Sequence, residues 1–134
     1  MILLDTQVVV WLAFGIDQLG VAARERIASE SDRRMSAMVG WELAMLLDKG
    51  RLTLGQPLGT WMQNIEAKME LIGVPVTGAI GRDAGGLQGN IHGDPCDRIM
   101  IATARALGCP LVTSDRAILR YAANGHLQTI DARR

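Results

Sequence analysis

The 134 residues carry fourteen basic and fourteen acidic side chains, for a formal net charge of zero, and 49% of them are apolar. That length suits one domain with a real core, the composition excludes a disordered chain, and no uncharged apolar run reaches the roughly 18 residues of a membrane span. The charge balance also excludes the global basic excess with which many proteins hold nucleic acid non-specifically, so any such contact must come from local patches.

Met1 to Leu4 is a strand-sized apolar run that meets Asp5 at once. With no positive region before it, the run reads as a buried strand rather than a secretory signal, and the default expectation is a cytoplasmic protein without a membrane partner. Thr6 to Phe14 predicts a helix despite its three valines. Gly20 to Glu30 predicts a second, followed by a charged turn, Ser31 to Arg34. Met35 to Val39 is the second expected strand. Gly40 to Gly50, closed by Lys49-Gly50, is a helix so uniformly apolar that burial is expected.

Gly55-Gln56-Pro57 breaks the chain, and Leu58 to Ile72 resumes helical periodicity with Leu58, Trp61, Ile65, Met69 and Ile72 along one stripe. Core packing is the leading explanation of that stripe, with a dimer face or a groove for a partner as the alternative. Gly73 closes the helix, and Val74-Pro75-Val76 is an expected edge strand, because proline cannot donate to a ladder. Gly78 to Gly93 has room for one short helix. Asp94-Pro95 opens a long helix through Leu107, stopped by Gly108. Pro110 to Thr113 is a strand, Asp115 to Ala123 a helix, and Leu127 to Ile130 a last strand. Alternation of this kind predicts an α/β fold: a single domain over residues 1–134, with a mostly parallel sheet of about five strands flanked by helices.

Cys96 and Cys109 form no CxxC pair and the two histidines are far apart, so neither a zinc site nor a disulfide framework is expected. The acids are more informative. In open α/β sheets the ligand crevice lies outside the carboxyl ends of the strands. Asp5 and Asp115 directly follow expected strands, Asp94 and Asp97 open a helix near the same edge, and Glu42 lies within an apolar helix where an unpaired carboxylate is costly. Taken singly, Asp5, Asp94 and Asp115 are also ordinary helix caps, Asp97 could close a capping box, and Glu42 could pair with an arginine. Taken together, they fall where one fold gathers them, and such like charges need a cation. Mg2+, a hard ion that prefers oxygen ligands, is the expected cofactor, with Mn2+ as a substitute. No phosphate-binding glycine loop is present, so hydrolysis of a phosphodiester fits better than use of a nucleotide cofactor.

Leu3-Leu4-Asp5-Thr6, Ser36-Ala37-Met38-Val39-Gly40-Trp41-Glu42, His92-Gly93-Asp94-Pro95-Cys96-Asp97-Arg98 and Leu111-Val112-Thr113-Ser114-Asp115 together resemble PIN-domain proteins, and in particular the VapC toxins of toxin-antitoxin pairs. The resemblance runs from Met1 to the last strand. It implies a three-layer PIN-like fold and an endoribonuclease that cuts transfer RNA or another structured RNA, leaving a 5′ phosphate. It implies Asp5 and Asp97 as metal ligands, Glu42 as the group that positions or deprotonates the attacking water, and Asp115 as a support through water, with Asp94 a further acid. Thr6, Ser36, Thr113 and Ser114 would be hydroxyls behind these acids. A homodimer and a small antitoxin whose tail fills the active-site groove are implied as partners. Cys96 stands where the family often has an aromatic residue.

Arg98, Arg116 and Arg120 lie beside the acids in sequence and are candidates to contact RNA phosphates. Trp11, Trp41 and Trp61 sit on apolar helix faces, so core or dimer contact is expected of them rather than base stacking. Two other classes compete. One is a PIN-type nuclease that processes RNA without an antitoxin. The other is a non-catalytic binding or receiver-like α/β domain; a receiver needs paired acids at the first strand and a late lysine, whereas only Asp5 stands there and no lysine follows Lys68.

Overall fold

A computed structural model describes residues 1–134. Five parallel strands, β1 (Ile2–Leu4), β2 (Arg33–Ser36), β3 (Leu71–Val74), β4 (Leu111–Thr113) and β5 (Thr129–Asp131), form one sheet in the order β3-β2-β1-β4-β5. Seven helices connect and cover them: α1 (Thr6–Phe14), α2 (Val21–Ser29), α3 (Met38–Asp48), α4 (Leu58–Lys68), α5 (Gly78–Gly85), α6 (Pro95–Leu107) and α7 (Arg116–Ala123). The strand order reverses beside β1: the chain moves outward through β2 and β3, then returns to the other side of β1 as β4. Such a reversal leaves a crevice between the loops at the carboxyl ends of β1 and β4.

Strand β1, all apolar, and strand β4, apolar but for Thr113, are buried along their whole length and form the centre of a core of 24 residues. Continuous rather than alternating apolar patterning is what a central parallel strand needs, because helices cover both faces. The helix starts follow from capping chemistry. Asp5 accepts the Thr6 N–H, Asp94 accepts the Asp97 N–H with Pro95 in the first turn, and Asp115 accepts the Ile118 N–H. Asp97 returns no bond to the Asp94 N–H, so the capping box expected there is one-sided.

Several boundaries move. The second strand is Arg33–Ser36 instead of Met35 to Val39, since Arg33 and Arg34, expected in a turn, pair with Ile2 and Leu3 of β1. Their charged ends are answered by Glu70 and Asp32. Helix α3 therefore starts at Met38, where Ser36 Oγ accepts the Met38 N–H. It is not buried all round: Val39 and Leu43 face the core, while Trp41 is 55% exposed. Helix α4 ends at Lys68, not Ile72, because Glu70 adopts a left-handed conformation (φ 52°) that turns the chain into β3. The edge strand is thus Leu71–Val74, with Pro75 just beyond it. Trp61 and Ile65 of the α4 stripe are core residues. The last strand is Thr129–Asp131 rather than Leu127 to Ile130, in register with Leu111–Thr113. No helix is long and apolar enough to cross a membrane.

Candidate active site

Helices α1, α3 and α7 follow parallel strands and so begin at the sheet's carboxyl edge, and α6, reached through α5, starts beside them, so the N-terminal halves of all four converge on the crevice beside β1. Asp5, Glu42, Asp97 and Asp115 line one cavity there of about 530 Å³, with Thr6, Ser114 and Arg133 among the remaining wall residues. Acids separated by up to 110 positions in the chain are thereby brought together.

Each carboxylate is held differently. Asp5 is buried, with Oδ1 accepting the Thr6 N–H at 2.8 Å and Oδ2 accepting the hydroxyl of fully buried Thr113 at 2.6 Å. Burial raises its carboxyl above the usual range against these two bonds, and Asp115 and Asp94 add repulsion. Glu42 Oε1 accepts the Thr6 hydroxyl at 2.6 Å, and burial followed by repulsion from Asp5 and Asp94 raises it as well. Asp97 has no backbone donor on its carboxylate. Burial, then repulsion from Asp115, Asp94, Asp5 and Glu42, pushes it up to about 8. Asp115 Oδ1 caps α7, and its own N–H donates to the Thr113 hydroxyl at 3.1 Å.

Not every expected residue reaches the cavity. Ser36 directs its hydroxyl to the start of α3. Asp94 is an exposed cap of α6 that acts on the site through its charge and through the Asp97 N–H. Arg98 donates to the carbonyl oxygens of Ala84, Gly85, Ile91 and His92, so its guanidinium pins the loop before α6 instead of facing solvent for a phosphate. Arg116 and Arg120 are exposed on α7 and form no ion pair within the chain.

Two residues were missed. His92 Nδ1 accepts the Asp94 N–H and its Nε2 lies 3.2 Å from Asp97 Oδ2. An accepting Nδ1 puts the ring proton on Nε2, so His92 donates to Asp97 and orients it. The two histidines are too far apart in sequence to suggest a zinc pair, and the sequence signal for His92 is its place five residues before Asp97 and beside the α6 cap. Arg133 belongs to no acidic motif, and only the fold brings it to the cavity.

His92, Asp97 and Asp115 hold ligand atoms within 4.8 Å of one another, the spacing of groups that could share one cation. Carboxylate oxygens dominate the donors, which suits a hard divalent ion. The Cys96 thiol, pushed up to about 12 by burial and then by Glu42, Asp94, Asp97 and Asp5, is no competing ligand.

A PIN domain family model matches residues 2–124. The chain belongs to the PIN-domain family. Among PIN-type relatives, Ribonuclease VapC22 of Mycobacterium tuberculosis (strain ATCC 25618 / H37Rv) is 32% identical over 117 residues, 87% of this chain and 88% of that one. Solved structures share the fold: FitAB bound to an IR36 DNA fragment, with a TM-score of 0.65 at 19% identity over 100% of this chain and 96% of that one, and FitAcB from Neisseria gonorrhoeae, with a TM-score of 0.66 at 19% identity over 98% of each.

Proposed function

We propose that the chain is a metal-dependent endoribonuclease toxin of the VapC type, hydrolysing RNA phosphodiester bonds at the carboxylate cavity beside β1. The observation that carries this reading is the meeting of Asp5, Glu42, Asp97 and Asp115 in one cavity of a PIN domain. The ribonuclease name of the 32% identical relative supports the substrate class.

Asp5 and Asp97 would hold the cation, with Mg2+ or Mn2+ matching an oxygen-rich donor set. When bound, such an ion lowers the pKa of water and neutralises charge building on the phosphate. The protein's own groups do the rest. The Thr6 N–H and the Thr113 hydroxyl fix both oxygens of Asp5, and His92 fixes one oxygen of Asp97. Glu42 is held at Oε1 by Thr6 and keeps Oε2 without a protein partner. Its raised affinity for protons brings it closer to the working range of a base that takes a proton from the attacking water. Asp115, anchored by the α7 N–H groups, would act through water. The whole chain serves as one domain, since the core draws on residues from Ile2 to Ala132.

An antitoxin tail would fill the active-site groove, while the rest of the partner would cover a separate cavity of about 420 Å³ between α1, α2 and α4, lined mostly by apolar side chains together with Arg24, Arg33 and Lys68. Buried Arg33 Nε has no acceptor within the chain. Such a surface fits an amphipathic segment that carries a carboxylate. Exposed Trp41 and Ile72 offer apolar surface for the expected homodimer, which light scattering reads directly.

Transfer RNA incubated with the purified protein should be cut only when Mg2+ or Mn2+ is present, leaving 5′ phosphates, and Asp5→Asn and Asp97→Asn should abolish the cuts. Undiminished cleavage by both variants, or by protein in EDTA, would overturn the reading.

A further inference from the structure

An acid-lined cavity repels the polyanion it is meant to cut, so a substrate phosphate must find a cation nearby. Among the residues lining the cavity, Arg133 is the one that carries positive charge. No guanidinium nitrogen of Arg133 lies within 4.0 Å of a carboxylate, so its charge is not consumed by the acids. It lies instead over the Trp11 ring, 5.7 Å from the centroid, a face-on arrangement that orders the fork while leaving its N–H groups free.

The segment that carries it is built in. Ala132 N–H donates to the Thr113 carbonyl next to the cavity, Arg133 N–H donates to Asp131 Oδ1, and the carbonyls of Ala132 and Arg134 accept the N–H groups of Gly20 and Ala22 at the start of α2. Gly20 is required for this seat: a Cβ there would lie 2.2 Å from the Arg134 carbonyl carbon and 2.6 Å from that of Arg133. A segment meeting Gly20 on one side and β4 on the other presents residue 133 to the cavity in one place.

We propose that Arg133 is the RNA-phosphate clamp of this site, gripping the backbone beside the bond to be cut, and that Gly20 positions it. The inference rests on the nuclease reading. Arginine suits the task because its planar fork matches phosphate oxygens while Trp11 holds the plane. Contact with a phosphate positions RNA of any sequence, so the effect is independent of base identity.

The test measures cleavage of a labelled single-stranded RNA of mixed sequence in Mg2+, and its binding across a salt series in the uncut Asp97→Asn background. Arg133→Ala should raise KM roughly tenfold with a smaller change in kcat. It should flatten the salt dependence by about 0.7 in log–log slope, the value of one phosphate contact on a single strand. Arg133→Lys, which keeps the charge but loses the fork, should retain the slope with an intermediate KM. Gly20→Ala, with the arginine still present, should reproduce Arg133→Ala; where it fails to fold, Arg133→Ala decides alone. An unchanged salt slope in Arg133→Ala overturns the proposal, whether activity is intact or falls with melting temperature. If the parent protein neither cuts nor binds the RNA, it is the nuclease reading that fails.

Discussion

Asp97→Asn is a change that should stabilise the metal-free protein while destroying its activity. The substitution keeps the shape of the side chain, and the new Oδ1 can still accept the His92 Nε2–H. What it removes is a carboxyl pushed up to about 8 from an ordinary 3.8 by burial and then by Asp115, Asp94, Asp5 and Glu42. A raised acid is bound to its proton more tightly in the folded state, so stability is full below about pH 4, is lost as pH rises, and levels off above about pH 8. At pH 7 roughly three of these pH units have been crossed, which at 1.36 kcal/mol per unit is about 4 kcal/mol. The side chain is 19% exposed, and relaxation with water entry brings the expected gain of the variant down to about 2 kcal/mol. For 134 residues unfolding with about 2.1 cal/mol/K each, that is a rise of about 7 °C in Tm. The assay is calorimetry of EDTA-treated protein at pH 5, 7 and 8, with the difference between variant and parent widening from pH 5 to pH 8. Excess Mg2+ or Mn2+ should reverse the order, because the parent gains binding free energy that the variant has lost. A variant that melts at or below the parent at pH 8 in EDTA would refute the claim that repulsion at this cavity is strong.

Thr113→Val removes the hydroxyl that serves Asp5 in a fully buried setting. It should cost about 2 kcal/mol in denaturant titrations and weaken Mn2+ binding by calorimetry roughly tenfold or more. Asp94→Ala should lose about 1 kcal/mol as the α6 cap goes, with weaker Mn2+ binding because the first turn carrying Asp97 loosens. The Cys96 thiol, 6% exposed and pushed up to about 12, should resist iodoacetamide at pH 8 in the folded protein and react once urea unfolds it.

The parts of the fold that were legible are those where one local signal suffices. The apolar strand before Asp5, the Asp94-Pro95 start and Gly108 stop of α6, and the Pro110 to Thr113 strand each declare themselves through burial or capping. The boundaries that moved depend on tertiary pairing. Arg33 and Arg34 look like turn residues, yet β1 recruits them into the sheet and Glu70 and Asp32 answer their charge. Helix α4 is ended by Glu70 in a left-handed conformation, where the expected signal is glycine. Asp5, Asp94, Asp97 and Asp115 were legible because they stand at strand ends or helix starts, and Glu42 because it interrupts an apolar helix. Arg98 misled for the converse reason: closeness to acids in sequence did not show that backbone carbonyls claim it. Arg133 had no local signal at all.

At the level of sequence, helix cap and catalytic acid were rival readings of Asp5 and Asp115; in the fold they are compatible. A helix leaving the carboxyl edge of a strand presents unpaired N–H groups and the positive end of its dipole where the crevice lies. A carboxylate there can give one oxygen to the cap and still line the cavity, as Asp5 does with Thr6 and Asp115 does with Ile118. The backbone thus offsets part of the repulsion among the acids and fixes their directions before any ion arrives. Glu42 and Asp97 are the exceptions: Glu42 meets only the Thr6 hydroxyl, and Asp97, whose own α6 N–H bonds to Asp94, meets only His92. Of these two, Asp97 is pushed up to about 8 by burial and then by Asp115, Asp94, Asp5 and Glu42, so its charge depends strongly on a cation. A cluster made entirely of capping acids would tolerate its own charge better and bind an ion less avidly. Leaving two members without backbone donors makes the cavity uncomfortable enough for the ion to be needed.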